Sequence, residues 1–383
     1  MKRRNFLNFI AASSLFSNFA YVNAKNFENK ILILIELQGA NDGLNTVIPY
    51  NHKRYKMLRP TLSLDTKQVL TIDLDQGLHP SLNFLAKLYE IGQLKIVQNL
   101  GYPQPILSHF RSIELWETGG DGISKGRQGW LNSSLNEYSE KKDLDGKAIF
   151  LDNSGEIFNG GIEGFLGPHI INYVPEEVEG RDTTIPSMQK LPNIGLLDKV
   201  RNKRRLDLIR MNRINNKLNN IKKLRFPGGS LGKQLSKACE LIEADINIPV
   251  FKVSLGSFDT HVNQFGKHRN LLRDLDEALQ ATVNRLKLNG LWNNTLIMTY
   301  SEFGRRAKEN GSRGTDHGMA APHFVMGGKI KGGINGGLPN LDKLKNNDLL
   351  YTLDYRSLYD FVLKKHFDFE TNPFSEFRSN QII

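Results

Sequence analysis

Residues 30–37 read Lys-Ile-Leu-Ile-Leu-Ile-Glu-Leu, an apolar run with no polar alternation. A strand wetted on one face alternates apolar and polar side chains, so a run of this kind is a strand covered on both faces. Such covering needs a layer on each side of a sheet, and the rest of the chain supplies helices for it. Similar runs recur at 94–99, 250–255 and 295–300, with shorter ones at 148–151 and 323–326. Helical periodicity falls between them. Leu82, Leu85, Leu88 and Tyr89 share one face over 81–92; 108–118 opens on Ser108 as N-cap; Leu272, Leu275, Leu279, Val283 and Leu286 line one side of 264–289, which Gly290 stops. A last helix is expected over 355–365. The expected fold is α/β, a doubly wound, mostly parallel sheet. The 383 residues fit one large domain over 25–383, in which the less regular stretch 131–247 reads as a helical or irregular insertion or cap.

Two ends of the charge distribution carry information. Met1–Ala24 has a basic start (Lys2, Arg3, Arg4), a short apolar middle from Phe6 to Ala20 and a small-residue end at Val22-Asn23-Ala24, the order of a secretory signal peptide. The pair Arg3-Arg4 followed by Asn5-Phe6-Leu7 resembles a twin-arginine signal, so the twin-arginine export machinery is an expected partner and the periplasm, or another exported location, the expected destination. No later segment approaches the roughly 20 apolar residues of a membrane span. The net charge is +11, of which nine units lie between Asp198 and Arg225. Apolar residues interleave there at helical spacing, which reads as basic amphipathic helices with a solvated face and the capacity for peripheral membrane contact through 199–225. No aromatic occurs in that stretch before Phe226, which argues against a nucleic-acid site. The single cysteine, Cys239, excludes an internal disulfide and a thiolate zinc cluster.

Any metal must therefore sit on oxygen and imidazole. The strands end in loops that carry such groups: Asp42 in a Gly/Asn/Asp turn, Ser108, the pair Asp259 and His261, and Glu302, with Asp316 and His317 a short loop beyond. Parallel strands point one way, so these loops meet along the C-terminal edge of the sheet, where α/β proteins place their sites. Asp42, Asp259, His261, Glu302, Asp316 and His317 are the candidate ligands for one or two divalent ions, with zinc, manganese, magnesium or calcium all open. Ser108 is the candidate nucleophile, seated among the free N–H groups of a helix start, and His109 and Arg305 are the candidate contacts to an anionic substrate. Glu302 at the end of an apolar strand needs a cation, for which Arg305 or Arg306 is at hand. His268, flanked by Lys267 and Arg269, reads as solvent-facing; His79, His169 and His323 read as structural, and His52 and His366 as surface residues.

Taken together, Gln38-Gly39-Ala40-Asn41-Asp42-Gly43-Leu44-Asn45-Thr46-Val47, Leu107-Ser108-His109-Phe110, Phe258-Asp259-Thr260-His261, Ser301-Glu302-Phe303-Gly304-Arg305-Arg306 and Gly314-Thr315-Asp316-His317-Gly318 resemble the DUF1501 family of exported bacterial proteins. That family is similar to the alkaline phosphatase/sulfatase superfamily, which implies an alkaline-phosphatase-like α/β fold with a metal-centred hydrolytic site. By this resemblance Asp42 matches the aspartate ending the first strand, and Ser108 the nucleophile that opens a helix. Asp259 and His261 resemble the second ligand group, Glu302 the acidic member of an Asp-His pair, and His317 the last histidine. Phe303 stands where that pair has its histidine, Asp259 and His261 are unusually close, and the Cys/Ser-x-Pro-x-Arg sulfatase signature is absent around Ser108. The implied activity is metal-dependent hydrolysis of a small-molecule or polymeric anionic ester, phosphoric or sulfuric. The alternative is a non-catalytic envelope binding protein that keeps the fold, the reading that Phe303 favours.

Overall fold

The computed structural model of the protein describes residues 30–124, 128–140, 144–152, 157, 165–167, 195–377 and 382. Its main sheet is built from β1 (Ile31–Leu37), β2 (Leu94–Gly101), β3 (Ala148–Phe150), β4 (Phe165–Leu166), β5 (Val250–Leu255), β6 (Thr295–Tyr300), β7 (Ala321–Gly327), β8 (Gly333–Asn335) and β9 (Leu353–Asp354). Across the sheet the order is β8-β2-β7-β6-β1-β5-β3-β4, and β9 also pairs with β2. The run β6-β1-β5-β3-β4 is parallel throughout, as are β8 and β9 on β2. Only β7 runs against its neighbours β2 and β6.

Strand β1 sits at the centre and is buried at every position. Ile31, Ile33, Ile35 and Leu37 face a core shared with α1 (Asn83–Glu90), α4 (Gly229–Glu243) and α5 (Gln264–Leu288). Leu32 and Leu34 face a second core with α2 (His109–Thr118) and α6 (Arg356–Phe361), rich in stacked rings such as Trp116 over Tyr355. Each such side chain contributes about 1.5–3 kcal/mol of hydrophobic stabilisation, which is why both faces must be covered. Glu36, the charged residue of β1, is buried and meets Lys252 Nζ at 2.9 Å; Lys252 also donates to Asp152 at 2.6 Å.

The stretch 131–247, expected as an insertion or cap, is joined to this framework. Its β3 pairs with β5, and α4 packs on α5 and β5. The basic helix α3 (Leu196–Leu218) turns part of its charge inward: Arg213 and Lys217 reach Asp145 at 3.0 and 2.9 Å, and Arg210 is buried. The signal segment 1–24 and His169 lie outside the described residues. No helix among the described residues is long and apolar enough to cross a membrane.

Register fixes the site. Glu36 lies beside both Ser254 and Tyr300, so the chain leaves β1, β5 and β6 at one level and residues 38–42, 256–261 and 301–303 form one edge. A hairpin of Gly304–Glu309 and Thr315–Gly318 follows β6, with Arg305 opposite His317.

Candidate metal centre

The loops at this edge are held in conformations that few residues adopt. Gly39 has φ +103°, and a Cβ there would overlap the Asp259 amide nitrogen. Ala40 and Ser257 also lie in the left-handed region, at φ 66° and 79°. Strain of this kind persists where surrounding contacts over-determine it. One such contact is Arg305, 1% exposed, which donates through Nε to Ala40 O (2.9 Å), through Nη1 to Thr315 O (2.8 Å), and through Nη2 to Gly39 O, Phe258 O (3.2 Å) and Asp259 Oδ1 (2.5 Å). A guanidinium so enclosed ties three loops together.

Four polar side chains then converge. His261 Nε2 lies 2.9 Å from Asp259 Oδ1 and 3.0 Å from His317 Nε2, and His317 Nε2 lies 3.4 Å from the same carboxylate oxygen. His109 Nε2 is 3.6 Å from Asp259 Oδ2, and its ring packs on those of His317 and Phe303. Behind each imidazole an acceptor faces the other nitrogen. His317 Nδ1 donates to Leu107 O at 2.9 Å, His109 Nδ1 meets Glu302 Oε1 at 2.5 Å, and Asp316 Oδ1 lies 3.5 Å from His261 Nδ1. At His317 the carbonyl on Nδ1 places the proton there and leaves the Nε2 lone pair facing His261, the arrangement of a metal-binding histidine, whereas His261 Nε2 has Asp259 Oδ1 and Arg305 Nη1 at 2.9 and 3.4 Å.

Two facing Nε2 lone pairs at 3.0 Å repel unless a proton or cation lies between them. Donors about 2.1 Å from a tetrahedral zinc ion stand about 3.4 Å apart, at the upper end of the 2.9–3.4 Å spacings of Asp259, His261 and His317. His109, Asp259 and His317 also form a set within 4.8 Å, but His261 stands nearer Asp259 than His109 does. The donor set of two imidazoles and a carboxylate fits an ion with nitrogen affinity better than magnesium or calcium. His109 Nε2 is buried without a hydrogen-bond partner among the described residues and lies 3.6 Å from Asp259 Oδ2.

The titrations diverge across the cluster. The hydrogen bond to Glu302 raises the His109 pKa against the effect of burial, with the Glu302 and Asp259 charges adding to it. Burial lowers that of His317, helped by the positive charges of Arg305 and His109. Burial opposes ionisation of Asp259, but Arg305 prevails and holds its carboxyl below the ordinary range. The hydrogen bond from Asn310 does the same for Asp316.

The structure relocates several residues that the sequence offers as site groups. Asp42 is not at the cluster: its carboxylate is bidentate with Arg59 at 2.6 and 2.8 Å, also accepts from Gln264, and is buried with Arg59. Arg305 has its donors on protein acceptors and braces the loops, so it is not available to a substrate. Glu302 is neutralised by neither Arg305 nor Arg306; it accepts from Gly39 N (2.8 Å), Ser301 Oγ (2.9 Å) and His109. Glu302 and Asp316 thus stand behind histidines. Ser108 is exposed at the N-cap of α2, with no side-chain capping bond, between Leu107 and His109. His268 is buried, with Nε2 2.9 Å from Asn41 Oδ1, and burial lowers its pKa to about 4. Arg59, Gln264 and the Leu107 carbonyl carried no sequence signal.

Fold and cluster together define a class: a doubly wound α/β protein with an imidazole–carboxylate centre at the C-terminal edge of its sheet. The chain belongs to the family described as protein of unknown function (DUF1501), whose model matches residues 29–366. No curated protein matches it. Solved structures similar to it include a protein in the alkaline phosphatase superfamily from Vibrio parahaemolyticus, at 13% identity and TM-score 0.37 over 88% of this chain and 72% of that one. The alkaline phosphatase from the Antarctic bacterium TAB5 is similar at 10% identity and TM-score 0.38, over 88% and 98%. The lipoteichoic acid synthase LtaP from Listeria monocytogenes is similar at 13% and 0.39, over 84% and 74%.

Proposed function

We propose that the protein is an exported, metal-dependent hydrolase of phosphate or related anionic esters. The observation that carries this reading is the convergence of His261 Nε2, His317 Nε2 and Asp259 Oδ1 with acceptors set behind both imidazoles. Asp259, His261 and His317 would hold the ion. When bound, it would supply Lewis acidity, offsetting charge on an ester oxygen and lowering the pKa of a nearby hydroxyl.

The remaining steps belong to the chain. Ser108, exposed and free of a capping bond, is the N-cap residue of α2 and stands between two residues that touch the cluster. It would attack the phosphorus or sulfur of an ester drawn to that helix end, losing its proton to solvent as the bond to the departing alcohol oxygen breaks, and water would then cleave the seryl ester. His109, kept protonated by Glu302, presents Nε2–H as the positive contact to the ester and as a proton source for the departing oxygen. Phe303, 2% exposed, packs its ring on those of His109 and His317 and holds them in place.

The test is metal content of the purified protein followed by turnover of p-nitrophenyl phosphate, bis-p-nitrophenyl phosphate and p-nitrophenyl sulfate. Ser108→Ala is expected to remove turnover and leave the metal in place; an active Ser108→Ala variant ends the Ser nucleophile. The second reading, a non-catalytic envelope binding protein, is favoured by the Arg305 guanidinium already on Asp259 Oδ1. It predicts a folded protein with no turnover of any ester. Export through the twin-arginine route, for which Arg3 and Arg4 speak, is checked by fractionating cells that make the parent chain and the Arg3→Lys/Arg4→Lys variant.

A further inference from the structure

On the opposite edge of the sheet lies a cavity of about 280 Å³, just under the usual 300–1,000 Å³ of ligand sites. The residues around it open or close strands at that end: Lys30 precedes β1, Thr295 opens β6, Lys95 belongs to the start of β2, and Lys329 and Lys331 follow β7. The length of β1 separates it from the metal cluster by about 20 Å.

Its lining has two parts. Leu296, Ile330 and Phe361 supply apolar surface, while five lysines (Lys30, Lys95, Lys329, Lys331 and Lys365) supply charge, and among the described residues no carboxylate lines it. The nearest compensation among them is Asp368, paired with Lys30. Lys95 is buried and donates to the neutral Asn335 amide oxygen, at 3.1 Å. Burial first, and Lys331 second, hold its pKa below the ordinary value. His366, expected at the surface, lines the cavity with a buried Nε2 that lacks a partner among the described residues. Like charges gathered around an apolar hollow favour an anion there over water alone.

We infer that this cavity binds a small amphiphilic anion, a sulfonate, carboxylate or phosphate group carrying an apolar body, at a site separate from the metal cluster. The probe is naphthalene-1-sulfonate, which has no ester to hydrolyse, titrated into the full chain by isothermal calorimetry. A saturable site that persists in His317→Ala is expected. The exposed pair Lys329→Gln/Lys331→Gln should weaken it about tenfold, since a lost charge-assisted contact is worth about 1.5 kcal/mol. His317→Ala, at the other edge, should leave it unchanged. Sodium sulfate should compete only weakly, because it lacks the apolar part. Absence of saturable binding, equal affinity in the double lysine variant, loss in His317→Ala, or sulfate binding as tightly as the aryl sulfonate would each overturn the inference.

Discussion

The substitution Asp42→Asn removes one charge from a pair in which both side chains are 0% exposed and joined by two hydrogen bonds of 2.6 and 2.8 Å. Arg59 would keep one acceptor on the substituted amide and its bonds to Asn45, Ala307 and Arg306, but would remain a buried cation without a counter-charge. Breaking a buried pair in this way costs about 3–5 kcal/mol, a large part of the 5–15 kcal/mol that holds a typical domain. The melting temperature should fall by about 4–7 °C. The sign with pH follows from the pair. Burial would raise the Asp42 pKa, but Arg59 outweighs it and the folded value lies below the ordinary carboxylate. The stabilisation is therefore complete above the unfolded pKa near ~4 and is lost only as pH falls through the depressed folded value. The cost of Asp42→Asn should be flat from about pH 5 to 8 and shrink in acid. Thermal unfolding across that range, paired with zinc titration, is the assay. A variant that keeps its stability but loses zinc would refute the structural role given to Asp42 and return it to the ligand set.

Two further outcomes follow from the same contacts. Glu302→Gln should lower the His109 pKa, seen by NMR titration of its ring protons, because the hydrogen bond and charge that raise it are removed; an unchanged titration would contradict the pairing. His323 is buried with neither ring nitrogen partnered among the described residues, and burial lowers its pKa to about 3. His323→Phe should raise stability by about 1–3 kcal/mol near neutral pH. The folded state refuses a proton that the unfolded chain accepts below ~6.5, so the parent loses stability as pH falls and the variant's advantage should grow by about 2 kcal/mol at about pH 5; a gap independent of pH would count against it.

The sheet was legible because burial on both faces leaves a mark in one dimension. The runs at 250–255 and 295–300 coincide with β5 and β6, and 30–37 differs from β1 by a residue. Strand direction was not legible, since β7 reads the same whether parallel or antiparallel. At the candidate site, residue types pointed to loops that converge at one edge but not to the partners within them. Glu302 needed compensation, and the nearest cations in sequence were Arg305 and Arg306; its acceptor role goes instead to His109, 193 residues away. Pairings between loops leave no periodicity to read. His268 shows the converse error: Lys267 and Arg269 beside it suggested solvent, but successive helical residues point about 100° apart, and its own direction is inward.

We propose that Asp259, His261 and His317 together hold a divalent ion. Zinc-edge anomalous diffraction from crystals of the zinc-loaded protein measures this directly. A peak within about 2.0–2.2 Å of Asp259 and of the Nε2 atoms of His261 and His317, absent in His317→Ala and retained in Asp42→Asn, is the predicted result. A crystal with no peak at that edge, or one whose zinc sits on Asp42 with Arg59 displaced, would contradict it.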